Sequence, residues 1–122
     1  MLCIVIKRFY WGVKGKAKIS TVIRFPMCLD LSSYVNGASL YSLKSVILHH
    51  GYSLHVGHYT SLVHNEMKGL RALRVLLFSL TTYLDQWFDC NDKTLEPIHE
   101  EDITSLEDNS PYILFYIKHS SA

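Results

Sequence analysis

The stretch Leu40 to His50 constrains the fold of this chain more than any other. Leu40, Ser42 and Lys44 fall on one side of an extended chain, and Tyr41, Leu43 and Ser45 fall on the other. That alternation is the period of a β-strand, in which successive side chains point to opposite faces. A long strand ending in His49-His50-Gly51 is therefore expected at the centre of the sequence.

The flanking segments read mostly as further strands. Leu2 to Phe9 is rich in β-branched and aromatic residues and predicts a buried strand. Gly12 and Gly15 mark a turn. Ile19 to Phe25 predicts a second strand, stopped by Pro26, which has no amide hydrogen for a ladder. Leu29 to Asn36 predicts a loop with one helical turn, leading to Gly37. Gly51 to Gly57 predicts a loop, and strands are expected at His58 to Val63, Gln86 to Cys90, Thr94 to Ile98 and Tyr112 to Lys118. Glu100 to Leu106 predicts a short helix whose early acidic residues suit the helix dipole. Met67 to Asp85 breaks the β pattern: Leu70, Leu73, Leu77, Leu80 and Leu84 recur at steps of three and four, one face of a helix. The expected class is α+β, a mostly antiparallel sheet with short helices. One domain portion is expected over residues 1–118, with an inserted, helical segment at about 64–86.

Composition narrows the function classes. With 122 residues, 48% of them hydrophobic, the chain predicts one domain or part of one, with a real core. Lys and Arg number 12 against 11 Asp and Glu, so no basic excess is available to neutralise phosphates, and no nucleic acid is expected as partner. Lys14, Lys16 and Lys18 read as the solvent face of a strand or turn. Cys3, Cys28 and Cys90 are widely spaced with no CxxC pair, which argues against a disulfide framework or a thiolate zinc ribbon. The apolar start ends at Lys7-Arg8, too soon for a signal peptide, and Val75 to Leu80 is too short to span a bilayer. An intracellular protein, cytoplasmic or nuclear and not membrane-bound, is expected.

The chemistry is concentrated at Gly57-His58-Tyr59-Thr60-Ser61 and at Trp87-Phe88-Asp89-Cys90-Asn91-Asp92. A Cys-His-Asn site needs a histidine able to take a thiol proton and a polar group holding the other ring nitrogen. Gly57 permits close backbone approach, the strand after His58 gives a rigid base, and Asn91 or Asp92 could orient the ring. From spacing alone the plainer reading, a hydrogen-bonded loop histidine, is favoured. His49, His50, His55 and His64 raise a metal alternative, but their spacing fits no helical ligand motif and strand alternation parts His49 from His50. Neither a metal nor any other cofactor is expected.

Over nearly its whole length, in one order, the chain resembles the C-terminal half of the ubiquitin-specific protease family. Leu2 to Phe9 is similar to the family's Leu-Lys-Arg-Phe strand, with Ile6 in the leucine position. Val22-Ile-Arg-Phe-Pro26, Leu29-Asp30-Leu31 and Tyr34 match its Phe-Pro, Leu-Asp-Leu and Tyr signature. Tyr41-Ser-Leu43, Val46 and His49-x-Gly51 match the strand entering the histidine box, and Gly57 to Ser61 the box itself. Trp87-x-x-Cys90-Asn91-Asp92 and Tyr112 to Tyr116 match the segments that follow.

The resemblance implies a papain-like cysteine protease fold and thiol-dependent hydrolysis after the C-terminal glycine of ubiquitin. His58 takes the general base's place and Asn91 the orienting residue's. Asp92 either shares hydrogen bonding near the site or serves as a turn residue. The loop from Gly51 to Gly57 borders the channel for the ubiquitin tail, with His49, Gly51, Gly57 and Tyr59 as substrate-binding candidates; Tyr59, like Trp87, also reads as a packing residue. The implied partners are ubiquitin or ubiquitinated proteins and an N-terminal lobe of the catalytic domain. Two departures stand out. The family's cysteine box has no counterpart, and Cys90, standing where the family prefers an aromatic or apolar residue, reads as a small hydrophobe. Alone, the chain is expected to be inactive. The stretch from about His64 to Gln86, where a short turn usually suffices, reads either as a helix beside the hairpin or as untranslated sequence carried in the frame. The second function reading is a catalytically inactive ubiquitin- or partner-binding fragment.

Overall fold

The computed structural model describes residues 1–53, 55–66 and 85–120. Within them lie β1 (Leu2–Val5), β2 (Phe9–Gly12), β3 (Gly15–Lys18), β4 (Cys28–Asp30), β5 (Leu40–His50), β6 (His58–Asn65), β7 (Gln86–Asn91), β8 (Thr94–Ile98), α1 (Glu100–Thr104) and β9 (Pro111–Lys118). The main sheet runs β1-β9-β5-β6-β7-β8, with β4 also on β5, while β2 and β3 form a separate hairpin. Every strand pair is antiparallel. The α+β class and the antiparallel sheet are as the sequence predicts.

β5 is the organising strand, pairing with β9 on one edge and with β6 on the other. Its alternation is interrupted. Leu43 lies opposite Tyr116 and Ser45 opposite Phe115, so Lys44 is an extra residue on β5. A bulge of this kind reverses the phase of the strand. Leu43, Val46 and Leu48 therefore share the core at 3%, 0% and 4% exposure, although strict alternation puts Leu43 and Val46 on opposite faces. Leu62 of β6, Trp87 of β7, and Leu114 and Tyr116 of β9 join them, with Phe25 and Ile103 closing the cluster. Each such side chain contributes roughly 1.5–3 kcal/mol by leaving water. Ile103, fully buried, anchors α1, whose first turn carries Glu100, Glu101 and Asp102.

Three element boundaries differ from expectation. The expected strand Leu2 to Phe9 stops at Val5, and the chain re-enters β structure at Phe9 in the β2–β3 hairpin, around the turn marked by Gly12 and Gly15. Ile19 to Phe25 is not a strand. The buried Arg8 guanidinium donates to the carbonyls of Ile19 (3.1 Å) and Thr21 (2.8 Å), so those acceptors are taken by a side chain, and Arg8 Nε also reaches Pro111 O at 2.7 Å. Leu29 lies within β4 rather than a loop, held opposite Tyr41. The insertion is also narrower than expected: His64 and Asn65 continue β6, Gln86 opens β7, and the Asp85 amide donates to Asn65 O at 2.9 Å. The leucine-striped helix expected within Met67 to Asp85 lies, at residues 67–84, outside the described residues. Among the described residues no helix is long and apolar enough to cross a membrane.

Candidate active site

Pairing of β5 with β6 ends at His50 opposite His58, leaving Gly51 to Gly57 as the connecting loop. Along β6, His58, Thr60 and Leu62 share one face. Because Leu62 lies opposite Asp89, residues Trp87, Asp89 and Asn91 of β7 share that same face. Asn91 stands one step beyond the Ser61–Cys90 pair, diagonal to His58, within reach of a polar side chain.

His58 Nε2 lies 2.7 Å from Asn91 Oδ1. An amide oxygen only accepts, so Nε2 carries the hydrogen and the neutral ring's lone pair resides on Nδ1. The ring is half exposed, at 46%. Asn91 is held in turn by the tight turn to β8: it pairs with Thr94, whose hydroxyl donates to Asn91 O at 2.8 Å. Asp92 occupies that turn with φ of 50°, a conformation Asp tolerates better than most residues. Its carboxylate lies 3.9 Å from His58 Nε2 and is 77% exposed. Asp92 is thus both a turn residue and a screened charge near the ring, while Asn91 makes the direct hydrogen bond to it.

His49, Gly51, Gly57 and Tyr59 gather at the base of the loop. The His49 ring is 1% exposed, with centroids 5.3 Å from Phe9, 4.8 Å from Tyr59 and 6.3 Å from Tyr112. Burial holds its pKa below the ordinary value, reinforced by the charges of Lys18 and His50, and its Nδ1 has no hydrogen-bond partner. A Cβ on Gly57 would collide with His49 Nε2 and come within 2.7 Å of His50 O. Gly51 has φ of 134°, and a Cβ there would sit 2.6 Å from Val56 O. Neither position tolerates a side chain. Tyr59, 52% exposed, roofs the histidine, so His49 is a buried support of this surface rather than an open contact.

Two contributors to the site went unread in the sequence. His50 Nε2 pairs with Thr60 Oγ1 at 2.8 Å, and its ring stacks on that of His58 at a centroid distance of 6.5 Å. Counting back symmetrically across the Gly51–Gly57 loop finds this cross-strand histidine. Lys18, expected to face solvent, donates to His49 O at 2.7 Å and Gly51 O at 2.9 Å. No local pattern in β3 marks it, because its acceptors are 31 and 33 residues away.

The histidines considered for a metal are dispersed. His49 is in the aromatic cluster, His50 at Thr60, His55 near Lys16 Nζ (3.3 Å), and His64 against Trp87 and 3.3 Å from Asp85. Among the described residues no group of three or more potential ligands is placed to hold a metal ion. Cys3 and Cys28 are exposed, on β1 and β4. Cys90 follows strand alternation to the sheet face opposite Asn91.

Comparison with known proteins identifies the family and the fold. The family model described as ubiquitin carboxyl-terminal hydrolase matches residues 1–116. Human ubiquitin carboxyl-terminal hydrolase 3 is 30% identical over 129 aligned positions, covering 99% of this chain and 21% of that protein. Human ubiquitin carboxyl-terminal hydrolase 17-like protein 10 is 32% identical, covering 98% of this chain and 19% of its own length. Among solved structures, the Ubp8-Sgf11-Sgf73-Sus1 SAGA DUB module superposes with a TM-score of 0.72 at 25% identity, over 98% of this chain and 24% of that one. The same module bound to monoubiquitin gives a TM-score of 0.71 at 23% identity, over 98% of this chain and 23% of that one. The sheet is therefore part of a papain-like protease fold, and the chain spans about a fifth of the length of these curated relatives. This chain belongs to the ubiquitin carboxyl-terminal hydrolase family, as a ubiquitin-specific protease sequence that spans the histidine box.

Proposed function

We propose that this chain supplies the base and the orienting residue of a thiol-dependent ubiquitin hydrolase, with the thiol carried by a separate lobe. The observation that carries the reading is the 2.7 Å contact between His58 Nε2 and Asn91 Oδ1, which leaves Nδ1 to accept a proton. In the assembled site His58 Nδ1 takes the proton of the thiol. The thiolate attacks the carbonyl carbon of ubiquitin's terminal glycine, and His58 returns the proton to the departing lysine amine. Water then attacks the thioester, with His58 again as base, and releases ubiquitin and the thiol.

The positions of the chain's own cysteines support an external nucleophile. Cys3 lies across β9 from Ser45, and Cys28 lies opposite Ser42, five and eight residues along β5 from His50. At about 3.3 Å per residue, those positions are roughly 17 and 26 Å from the His50–His58 end. Cys90 follows the opposite face. The Gly51–Gly57 loop and Tyr59, supported from beneath by His49, would border the path of the ubiquitin tail, where a surface built on two glycines suits a tail ending in two glycines.

The test is complementation: the chain is mixed with a lobe carrying the family's cysteine box, and release of a fluorophore from the ubiquitin C-terminus is followed. Turnover that disappears in His58→Ala, with ubiquitin binding retained, supports the reading; turnover retained within a few-fold in that variant overturns it. The cysteine placement favours one second reading, a non-catalytic module that binds ubiquitin. Ubiquitin binding without turnover, even in the presence of the lobe, selects it.

A further inference from the structure

The β2–β3 hairpin and the loop between β5 and β6 are 30 or more residues apart in sequence, yet one side chain joins them. Lys18, the last residue of β3, donates to two carbonyls that flank the exit of β5, those of His49 at 2.7 Å and Gly51 at 2.9 Å. Lysine on the end of a hairpin ordinarily keeps its ammonium in water. Here burial lowers its pKa, with the nearby Arg8 acting in the same direction and Asp108 opposing it. The hairpin is docked at two more points. Phe9 packs edge-on against His49 at 5.3 Å, and Lys16 Nζ lies 3.3 Å from His55 Nε2.

What Lys18 holds is continuous with the base. Gly51 packs so closely on Val56 O and Gly57 Cα that no Cβ fits between them, and Gly57 in turn abuts His49 Nε2 and His50 O. His58 is the next residue, paired with His50. Fixing the carbonyls of His49 and Gly51 therefore fixes both ends of the loop and the backbone that aims His58. Charge-assisted hydrogen bonds to two acceptors make a stronger tether than a neutral contact.

We propose that Lys18 is a positioning residue for His58, acting through the His49 and Gly51 carbonyls to hold the Gly51–Gly57 loop in the conformation that presents the ring. This deepens the hydrolase reading and rests on it for the role of His58, but its test needs no turnover. Hydrogen exchange is measured on the full chain for the peptide spanning Gly51 to His58 and, as a control, for β9. Lys18→Met keeps the aliphatic stem and loses the donors, Lys18→Arg keeps charge and donors, and Lys14→Met removes a lysine at the hairpin tip. The expected result is exchange about tenfold faster across Gly51 to His58 in Lys18→Met, with β9 unchanged, near-parent exchange in Lys18→Arg, and no change in Lys14→Met. Exchange in Lys18→Met equal to the parent overturns the inference, and so does acceleration that is equal in β9, since that is general loss of stability. The His58→Ala turnover assay tests the hydrolase reading separately.

Discussion

His58 Nε2 and Asn91 Oδ1 meet at 2.7 Å because the β6–β7 register, with Ser61 opposite Cys90, sets both side chains on one face of the sheet. The ring's tautomer follows from that contact. Replacing Asn91 with Ala removes the acceptor and frees the ring to rotate and to move its proton to Nδ1. In the complemented enzyme kcat should fall by about 10²-fold or more, while Asn91→Asp, which still accepts from Nε2, should retain most activity. Nitrogen-15 shifts of the His58 ring in the parent provide the check on tautomer: a neutral ring with its proton on Nδ1 contradicts the assignment.

Gly57 is a packing requirement as much as a flexible joint. A methyl group there overlaps His49 Nε2 and crowds His50 O. Gly57→Ala should therefore destabilise the chain by about 1–3 kcal/mol, in the range of other overpacked sites. Truncating His49 relieves only the side-chain half of the collision. Gly57→Ala should thus cost less in a His49→Ala background than in the parent, a coupling readable from a four-way set of urea midpoints. Additive costs would mean the two residues do not press on each other.

The strands were legible where hydrophobic period and turn residues agreed: β5, β6, β8 and β9 fall almost where alternation and flanking Gly or Pro place them. Ile19 to Phe25 failed for a reason invisible locally. Its composition is strand-like, but a buried arginine far back in the chain takes the carbonyls of Ile19 and Thr21. The phase of β5 was misjudged because Lys44 bulges, and nothing in the residue itself signals that. At the site, spacing alone favoured a plain loop histidine, and His58, Asn91 and Asp92 stood out only through the resemblance of their short local motifs to the family's. Lys18 and His50 act through partners set by the hairpin fold, so only three-dimensional pairing exposes them.

Acid should weaken the fold ahead of general carboxylate titration. His49 and His64 both have pKa values lowered from the ordinary 6.5, each chiefly by burial. For His64 the charge of Lys44 adds to this, against Asp85, Glu66 and Glu100. A histidine whose folded pKa is depressed binds protons more readily when unfolded. Its contribution is complete above about pH 6.5 and is lost as pH falls through the folded pKa. The urea midpoint should therefore drop between pH 7.5 and pH 5. His49→Phe, which keeps the aromatic packing without the proton, should show a shallower decline over that interval; an identical slope in parent and variant would count against burial of a neutral His49.

Tyr116 gives the opposite pH dependence at the other end of the scale. Its ring is fully buried at the centre of β9, and its hydroxyl donates to Pro26 O at 2.7 Å, tying the segment before β4 to the sheet. Burial pushes the phenol up to about 12. The unfolded chain then loses this proton first, near pH 10, so the stabilisation is complete below about pH 10 and is lost as pH rises towards 12. Tyr116→Phe removes the hydrogen bond and leaves Pro26 O without that donor, at a cost of about 1–2 kcal/mol near neutrality. It should also flatten the alkaline decline of the unfolding midpoint relative to the parent. By contrast Leu62→Ala, a cavity in the same core, should cost about 2–5 kcal/mol and leave the alkaline slope unchanged. A Tyr116→Phe midpoint that still falls as steeply as the parent above pH 10 would assign the decline to other groups and remove Tyr116 from the account.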